Sequence, residues 1–474
     1  MTARTTVADV LVDGLARAGA ARVFAAPEAP PALGAAARRR PLDVVEAPDA
    51  LAAAVLAAVS GELGDGPGAA LAGLDDTPGL VRGLAHGLRE RAPLIVLTGA
   101  AGDAGLLEPV VKASVIVEAA SAAHWIAHAA QLAMTDPRGP VHLVVSAGAA
   151  AAPALMVATS CRPAPLPPPE PAVLDTFGAA LAAANRPLLV VGLECNADAA
   201  RWLRSFAEVL PAPVLTTPKG KGALADPHPL ALGALVAGHA ALARADLVIL
   251  LGVDAGELPP GVVPDGTRLA HIGRVAWPGG GFVVEAIGDL ALVIEELAPY
   301  VRARPAADWD VAELDRIKRE VTRSATATPA ARLVALAREA TPAGTLATGD
   351  VAALSAWQAV GPRETLSSLG PAPPGYAVLA ALAAQLAQPE RRVVAFTDAA
   401  GLAAGEPALG LAVGHELPLV VVVLGAPGAG ARRILDGIEL SAYRGESDFP
   451  LHFSRAFLAG RPSLVAVETP GRIA

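Results

Sequence analysis

Apolar positions alternate along the chain between two kinds of pattern. Short unbroken runs rich in β-branched residues suit buried strands, and longer stretches with an apolar residue every third or fourth position suit helices. The first helical stretch, residues 7–18, sets Val7, Leu11, Leu15 and Ala18 on one face and stops at Gly19. Strand runs are then predicted at 21–26, 42–46, 69–74 and 93–98, with helices at 33–40, after Asp49, and at 80–91. Residues 110–135 read as helical segments and 139–146 as the last strand of this region. The run PAPLPPPEPA at 163–172 is the composition of an extended, semi-rigid linker. A second unit opens at 186–192. It continues through a helix at 198–210 with Asp198 as N-cap, a strand at 212–216, and an irregular Gly/Pro stretch at 216–233 read as a surface crossover. Residues 305–330 carry a charged helix and a linker, and 464–468 form the final strand. Strand–helix alternation in each third predicts an α/β protein whose parallel sheets are flanked by helices. The expected domains are 1–160, 173–304 and 325–474.

Composition narrows the partners more than the fold. Apolar residues make up 53% of the chain, enough for several large cores, whereas the net charge of −9 leaves no basic patch for a nucleic acid. Cys161 and Cys195 have no metal or redox spacing, which suits a reducing cytoplasm. No apolar run reaches the roughly eighteen residues that a membrane helix requires. The N-terminal stretch carries charges throughout and lacks a signal-type apolar core.

Candidate chemistry concentrates at 393–430. Two apolar runs, VVAFT and PLVVVVL, each end in a small-residue turn, at Asp398-Ala399 and at Gly425-Ala426. The carboxyl ends of neighbouring parallel strands are where open α/β sheets bind ligands. Asp398 is the one carboxylate at either of these ends, so it is a candidate ligand for a divalent ion that would hold phosphate oxygens. It is equally a good N-cap for the following helix.

These segments resemble the thiamine diphosphate-dependent enzymes, and specifically the acetolactate synthase-like family. That family ends one strand in Gly-Asp-Gly and the next in Asn-Asn, the Asp and an Asn holding Mg2+ against the diphosphate. Asp398 falls on the Asp, Thr397 and Ala399 on the glycines, and Gly425 and Ala426 on the asparagines, with His415–Pro418 on the "YGLP" before the second strand. The resemblance thus implies Asp398 and the Gly425 position at the metal, with Asp398, Ala399 and Ala400 at the diphosphate. LSSLGPAPPGYA at 366–377 falls on "lTSgGlGtMGfG": Ser368, Gly370 and Gly375 agree and Tyr376 keeps an aromatic ring. Pro374 takes the place of the apolar residue that props the cofactor into its bent form. Asp350 and Trp357 match a further motif. In the N-terminal region VFAAPEA and APLIVLTGA fall on "VFGVPGG" and "VPLVAITGQ". EAPDALAAA places Asp49 where the family has the Glu that bonds the aminopyrimidine, making Asp49 the catalytic candidate. Glu46 fits less well, and a helix cap is the other reading of Asp49. LDDTPG at 74–79 brings Asp75 and Asp76 to the substrate side.

In the central region, TTPKGKGALADPHPLALG, LARADLVILLG and LAHI match the family's middle domain. Relatives bind FAD, ADP or CoA there, or nothing. No Gly-rich phosphate motif supports FAD in this chain, and only Lys219 and Lys221 speak for a nucleotide. The resemblance implies two cofactor-type domains around a central one, thiamine diphosphate and Mg2+ as cofactors, a 2-oxo acid substrate, and a homodimer or homotetramer. Two functions follow from it: carboligation or non-oxidative decarboxylation, or a non-catalytic binding or partner module. Relatives carry a closing C-terminal tail beyond the last strand, so the chain reads as shortened.

Overall fold

The computed structural model describes residues 5–99, 104–303, 307–425, 438–444 and 446–468. They build three six-stranded sheets flanked by helices. The first sheet holds β1 (Arg22–Ala25), β2 (Asp43–Glu46), β3 (Gly68–Ala72), β4 (Leu94–Thr98), β5 (Ala113–Ile116) and β6 (Pro140–Val144), in the order β2-β1-β3-β4-β6-β5. The second holds β7 (Pro187–Val191), β8 (Val214–Thr216), β9 (Ala231–Ala234), β10 (Leu247–Leu251), β11 (Leu269–Gly273) and β12 (Val284–Ile287), in the order β12-β11-β10-β7-β8-β9. The third holds β13 (Leu346–Gly349), β14 (Thr365–Leu366), β15 (Val393–Thr397), β16 (Leu419–Leu424), β17 (Glu439–Arg444) and β18 (Ser463–Glu468), in the order β14-β13-β15-β16-β18-β17. Strand pairs such as β3–β4, β7–β10 and β15–β16 run parallel. The predicted class, α/β with three parallel-sheet domains flanked by helices, is the observed one. By packing, the chain falls into two compact units: Met1–Ala164 with Gly370–Ala442 and Arg455–Ala466, and Pro165–Leu369 with Tyr443–Ser454 and Val467–Ala474.

Burial explains why these runs become strands. Every residue of β3, β4, β6, β7, β10, β15 and β16 is buried, as expected when helices cover both faces of a parallel sheet. The first helix is Val7–Ala18. Thr6 and Asp9 form a capping box at its start, and left-handed Gly19 closes its end. Separate sets of apolar side chains pack one face of each of the first two sheets. Leu11, Leu15, Ile95 and Leu143 belong to one, and Phe177, Leu203, Ile249 and Leu297 to the other.

Several local expectations are corrected. Residues 110–135 hold an edge strand, β5, before the Ala122–Met134 helix. β5 is only half-buried, with Ile116 73% exposed, so its apolar pattern is weak. The Pro-rich linker gives way to a helix at Pro171–Ala182, whose Pro171 occupies the first turn, where its missing N–H costs nothing. The next helix is capped by Asn196, which accepts from Ala199 N at 2.9 Å; Asp198 lies inside its first turn. The 216–233 stretch is no surface crossover: Thr216, Thr217, Lys219, Ala223 and Leu224 are buried, and its end forms β9.

Candidate functional site

β15 and β16 lie side by side in register, Thr397 opposite Val423, so Asp398 and Gly425 stand at adjacent strand ends. The Asp398 side chain accepts from Gly401 N at 2.8 Å and caps the helix Ala399–Gly405. That bond engages one of its two oxygens and leaves the carboxylate's remaining lone pairs for other donors or a cation. Asp398 is half-buried, and Ala399 and Ala400 are exposed in the first turn beside it. Gly425 has φ +105, a left-handed backbone that favours glycine. An asparagine there, which would restore the side-chain oxygen, is strained. Ala426 lies outside the described residues.

The turn before the Tyr376–Ala387 helix meets the far end of the helix that Asp398 begins. Gly375 is left-handed at φ 73, and a Cβ on it would lie 2.7 Å from Gly405 N. Only glycine allows that approach. Tyr376 is fully buried, while Pro374 is exposed. Ser368 belongs to the other compact unit, where it is half-buried. Also in that unit, Asp350 is half-buried and Trp357 fully buried beneath the Arg338 guanidinium, 5.5 Å from the ring centroid.

Asp49 caps the Ala50–Leu63 helix by accepting from Ala52 N at 2.7 Å, and this helix packs on Tyr376–Ala387. Glu46 is exposed at the end of β2 and pairs with Arg38. Asp76 caps the Thr77–Arg89 helix through Gly79 N at 3.1 Å, and Asp75 is exposed. Lys221 pairs with Asp226 at 2.9 Å and so is engaged within the protein.

Sequence reading missed one cluster beside the candidate turn. Arg89 donates to Pro371 O at 2.8 Å and lies 3.8 Å from buried Glu90. His86, one helical turn back, lies 3.6 Å from Glu90 and edge-on to Tyr376 with centroids 5.0 Å apart. The His86–Glu90 spacing of four residues was the available signal, masked by the ordinary appearance of a charged helix end.

The donor set decides whether a metal–diphosphate group fits. Among the described residues no three His, Cys, Asp or Glu side chains gather as a metal cage. Mg2+ does not need one, because it is commonly held by one or two carboxylates, phosphate oxygens and water. Asp398, beside the exposed Ala399 and Ala400, meets that minimum; Gly425 adds no side-chain oxygen.

This fold, three parallel α/β sheets with a carboxylate at a strand-end turn, defines the class to which the chain compares. Residues 5–114 match the thiamine pyrophosphate enzyme N-terminal TPP binding domain, and residues 174–297 match the thiamine pyrophosphate enzyme central domain. The chain therefore belongs to the thiamine diphosphate-dependent enzyme family, on its acetolactate synthase-like side.

Among its relatives, the acetolactate synthase large subunit of Parasynechococcus marenigrum is 29% identical over 73% of this chain and 63% of its own length. The benzoylformate decarboxylase of Pseudomonas aeruginosa is 28% identical over 66% of this chain and 62% of its own length. The glyoxylate carboligase of Escherichia coli O157:H7 is 32% identical over 34% of this chain and 31% of its own length. The chain thus spans less than two thirds of the length of each. A solved Mycobacterium smegmatis enzyme, provisionally described as thiamin diphosphate-dependent, shares the fold at TM-score 0.79 and 21% identity, over 99% of this chain and 100% of its own. Among the described residues no helix is long and apolar enough to cross a membrane.

Proposed function

We propose that this protein binds thiamine diphosphate with Mg2+ and acts on a 2-oxo acid, making or breaking the bond next to the carbonyl carbon as a carboligase or non-oxidative decarboxylase. The observation that carries this reading is Asp398, a carboxylate at the carboxyl end of β15 beside the parallel end of β16. Asp398 would hold the metal with water and backbone oxygens, and the first-turn N–H groups of Ala399 and Ala400 would face the diphosphate. Pro374 would face the ring end of the cofactor, with Gly375 and Tyr376 fixing the turn that carries it. Thiamine diphosphate, when bound, supplies the electron sink for the chemistry. Asp49 would hold or move the proton at the aminopyrimidine nitrogen. As an Asp it is one methylene short of a Glu, and a misplacement of that size costs on the order of 10²-fold in rate. The domains of this reading are 1–160, 173–304 and 325–474, and the assembly is a homodimer or larger.

Specific observations favour a second reading, a non-catalytic member that keeps the fold as a binding or partner module. Asp49 and Asp398 both serve as helix caps, and Gly425 brings no ligand. Calorimetric titration of the wild type and Asp398→Asn with thiamine diphosphate and Mg2+ separates the two. Asn caps about as well as Asp, so the variant keeps its fold. The first reading expects Mg2+-dependent binding that Asp398→Asn loses by tenfold or more. Equal affinity in both, or binding in neither, would leave the second reading standing.

A further inference from the structure

The central sheet reverses its strand order between β10 and β7, and the crevice beyond the carboxyl ends of such a strand pair is the general ligand position of an open α/β sheet. In this protein that position is already taken. The loop after β10 sends Glu257 into it, where the side chain is 5% exposed. One carboxylate oxygen accepts from Leu193 N at 2.8 Å, in the loop after β7, and from Asp254 N at 3.0 Å, in the loop after β10. The other accepts from the Thr217 hydroxyl at 2.6 Å, in the loop after β8.

Local capping accounts for only one of these three bonds. Glu257 does complete a capping box with Asp254, but Leu193 and Thr217 come from two other strand ends. The surroundings are cut to fit. A Cβ on Gly192 would lie 2.5 Å from the Glu257 oxygen, and one on Gly220 would lie 2.1 Å from Val191 O. Thr217 is itself fixed, its N–H donating to Val191 O at 2.9 Å and its hydroxyl accepting from Gly220 N at 3.1 Å. The TTPKGKG segment therefore acts as a clasp around this carboxylate. Burial pushes the Glu257 carboxyl up to about 7 despite its three donors, so confining an anion here is costly.

We propose that Glu257 is a built-in ligand of the central domain, its carboxylate occupying the place at this strand crossover where an external anion would otherwise bind. This stands apart from the cofactor reading, because it concerns a different sheet and different residues.

Chemical rescue tests it. Glu257→Ala removes a fragment the size of acetate and leaves the Leu193, Asp254 and Thr217 donors facing an emptied position. Thermal unfolding of the full chain at pH 7 is compared in sodium acetate and in sodium chloride at equal ionic strength. Glu257→Ala is expected to melt several degrees below the wild type in chloride and to regain at least half of that loss in acetate, while the wild type gains nothing from acetate. If the variant is obtained only unfolded, refolding yield in acetate against chloride becomes the readout, with a several-fold higher yield expected in acetate. An acetate gain in the wild type equal to that of the variant, or no acetate-specific gain or yield in the variant, would overturn the proposal.

Discussion

At the residue scale, the chemistry depends on what each buried polar side chain is already bonded to. His142 on β6 is fully buried between the Thr98 hydroxyl, 2.8 Å from Nε2, and the Ser114 hydroxyl, 2.9 Å from Nδ1. Desolvation holds its pKa down at about 4, against 6.5 for a free imidazole. The unfolded chain therefore binds a proton between these values that the folded chain refuses, so stability falls as pH drops through this window and is fully present above it. The effect at this one site is on the order of 3 kcal/mol. Denaturant unfolding from pH 7 to pH 4 should show the loss, and His142→Gln should flatten its slope. An unchanged slope in the variant would reject the assignment. The same scale shows how much of the candidate site was legible. Asp398 was singled out because a carboxylate at a strand end is a short local signal, and Asp49 through the family resemblance. Both were also legible as helix caps, and both cap; the exposed Pro374 and the left-handed Gly425 depend on backbone geometry that residue types do not disclose. Arg89 was missed because its partner, the Pro371 carbonyl, is 282 positions away in sequence.

At the element scale, the long buried runs were readable and the marginal ones were not. β4 and β16 declare themselves by four and six consecutive buried apolar positions. β5 is half-exposed along its four residues and β14 has two residues, too little pattern to separate a strand from a loop. The helix cap at 196 rather than 198 shows the same limit: Asn and Asp cap about equally, and only the turn geometry chooses. Close packing between elements gives a sharper prediction. A Cβ on Gly68 of β3 would lie 1.8 Å from Ala57 O in the helix above, and one on Gly61 of that helix 2.2 Å from Pro93 O. Gly68→Ala must push the helix off the sheet, at a cost of about 1–3 kcal/mol or more. Gly34, inside the Pro31–Ala37 helix, would place its Cβ no nearer than 3.5 Å to the end of the Arg38 side chain. Gly34→Ala should therefore stabilise by roughly 0.5–1 kcal/mol, the helix preference for alanine. Urea midpoints of the two variants should move in opposite directions, and a loss in both would show that the Gly34 helix is not set as described.

At the scale of the whole molecule, the first and second sheets draw on separate apolar sets. The apolar set on one face of the first sheet draws its buried members from Val7 to Cys161, and the set on one face of the second sheet from Leu174 to Val301, with no residue in common. Such cores need not unfold together, since multi-domain chains commonly break two-state behaviour. Calorimetry should resolve more than one transition. Leu203→Ala, which empties a fully buried site in the second set, should lower one transition, and Leu11→Ala, equally buried in the first, should lower another. Each loss should be about 2–5 kcal/mol, the usual range for a buried leucine. The pairing also bears on function. If the proposed site is right, thiamine diphosphate with Mg2+ should raise a transition that Leu203→Ala leaves in place, because ligand stabilises only the folded unit that holds it. A single transition lowered equally by both leucine variants would mean that the cores unfold as one, and ligand stabilisation would then be blind to which sheet carries the site.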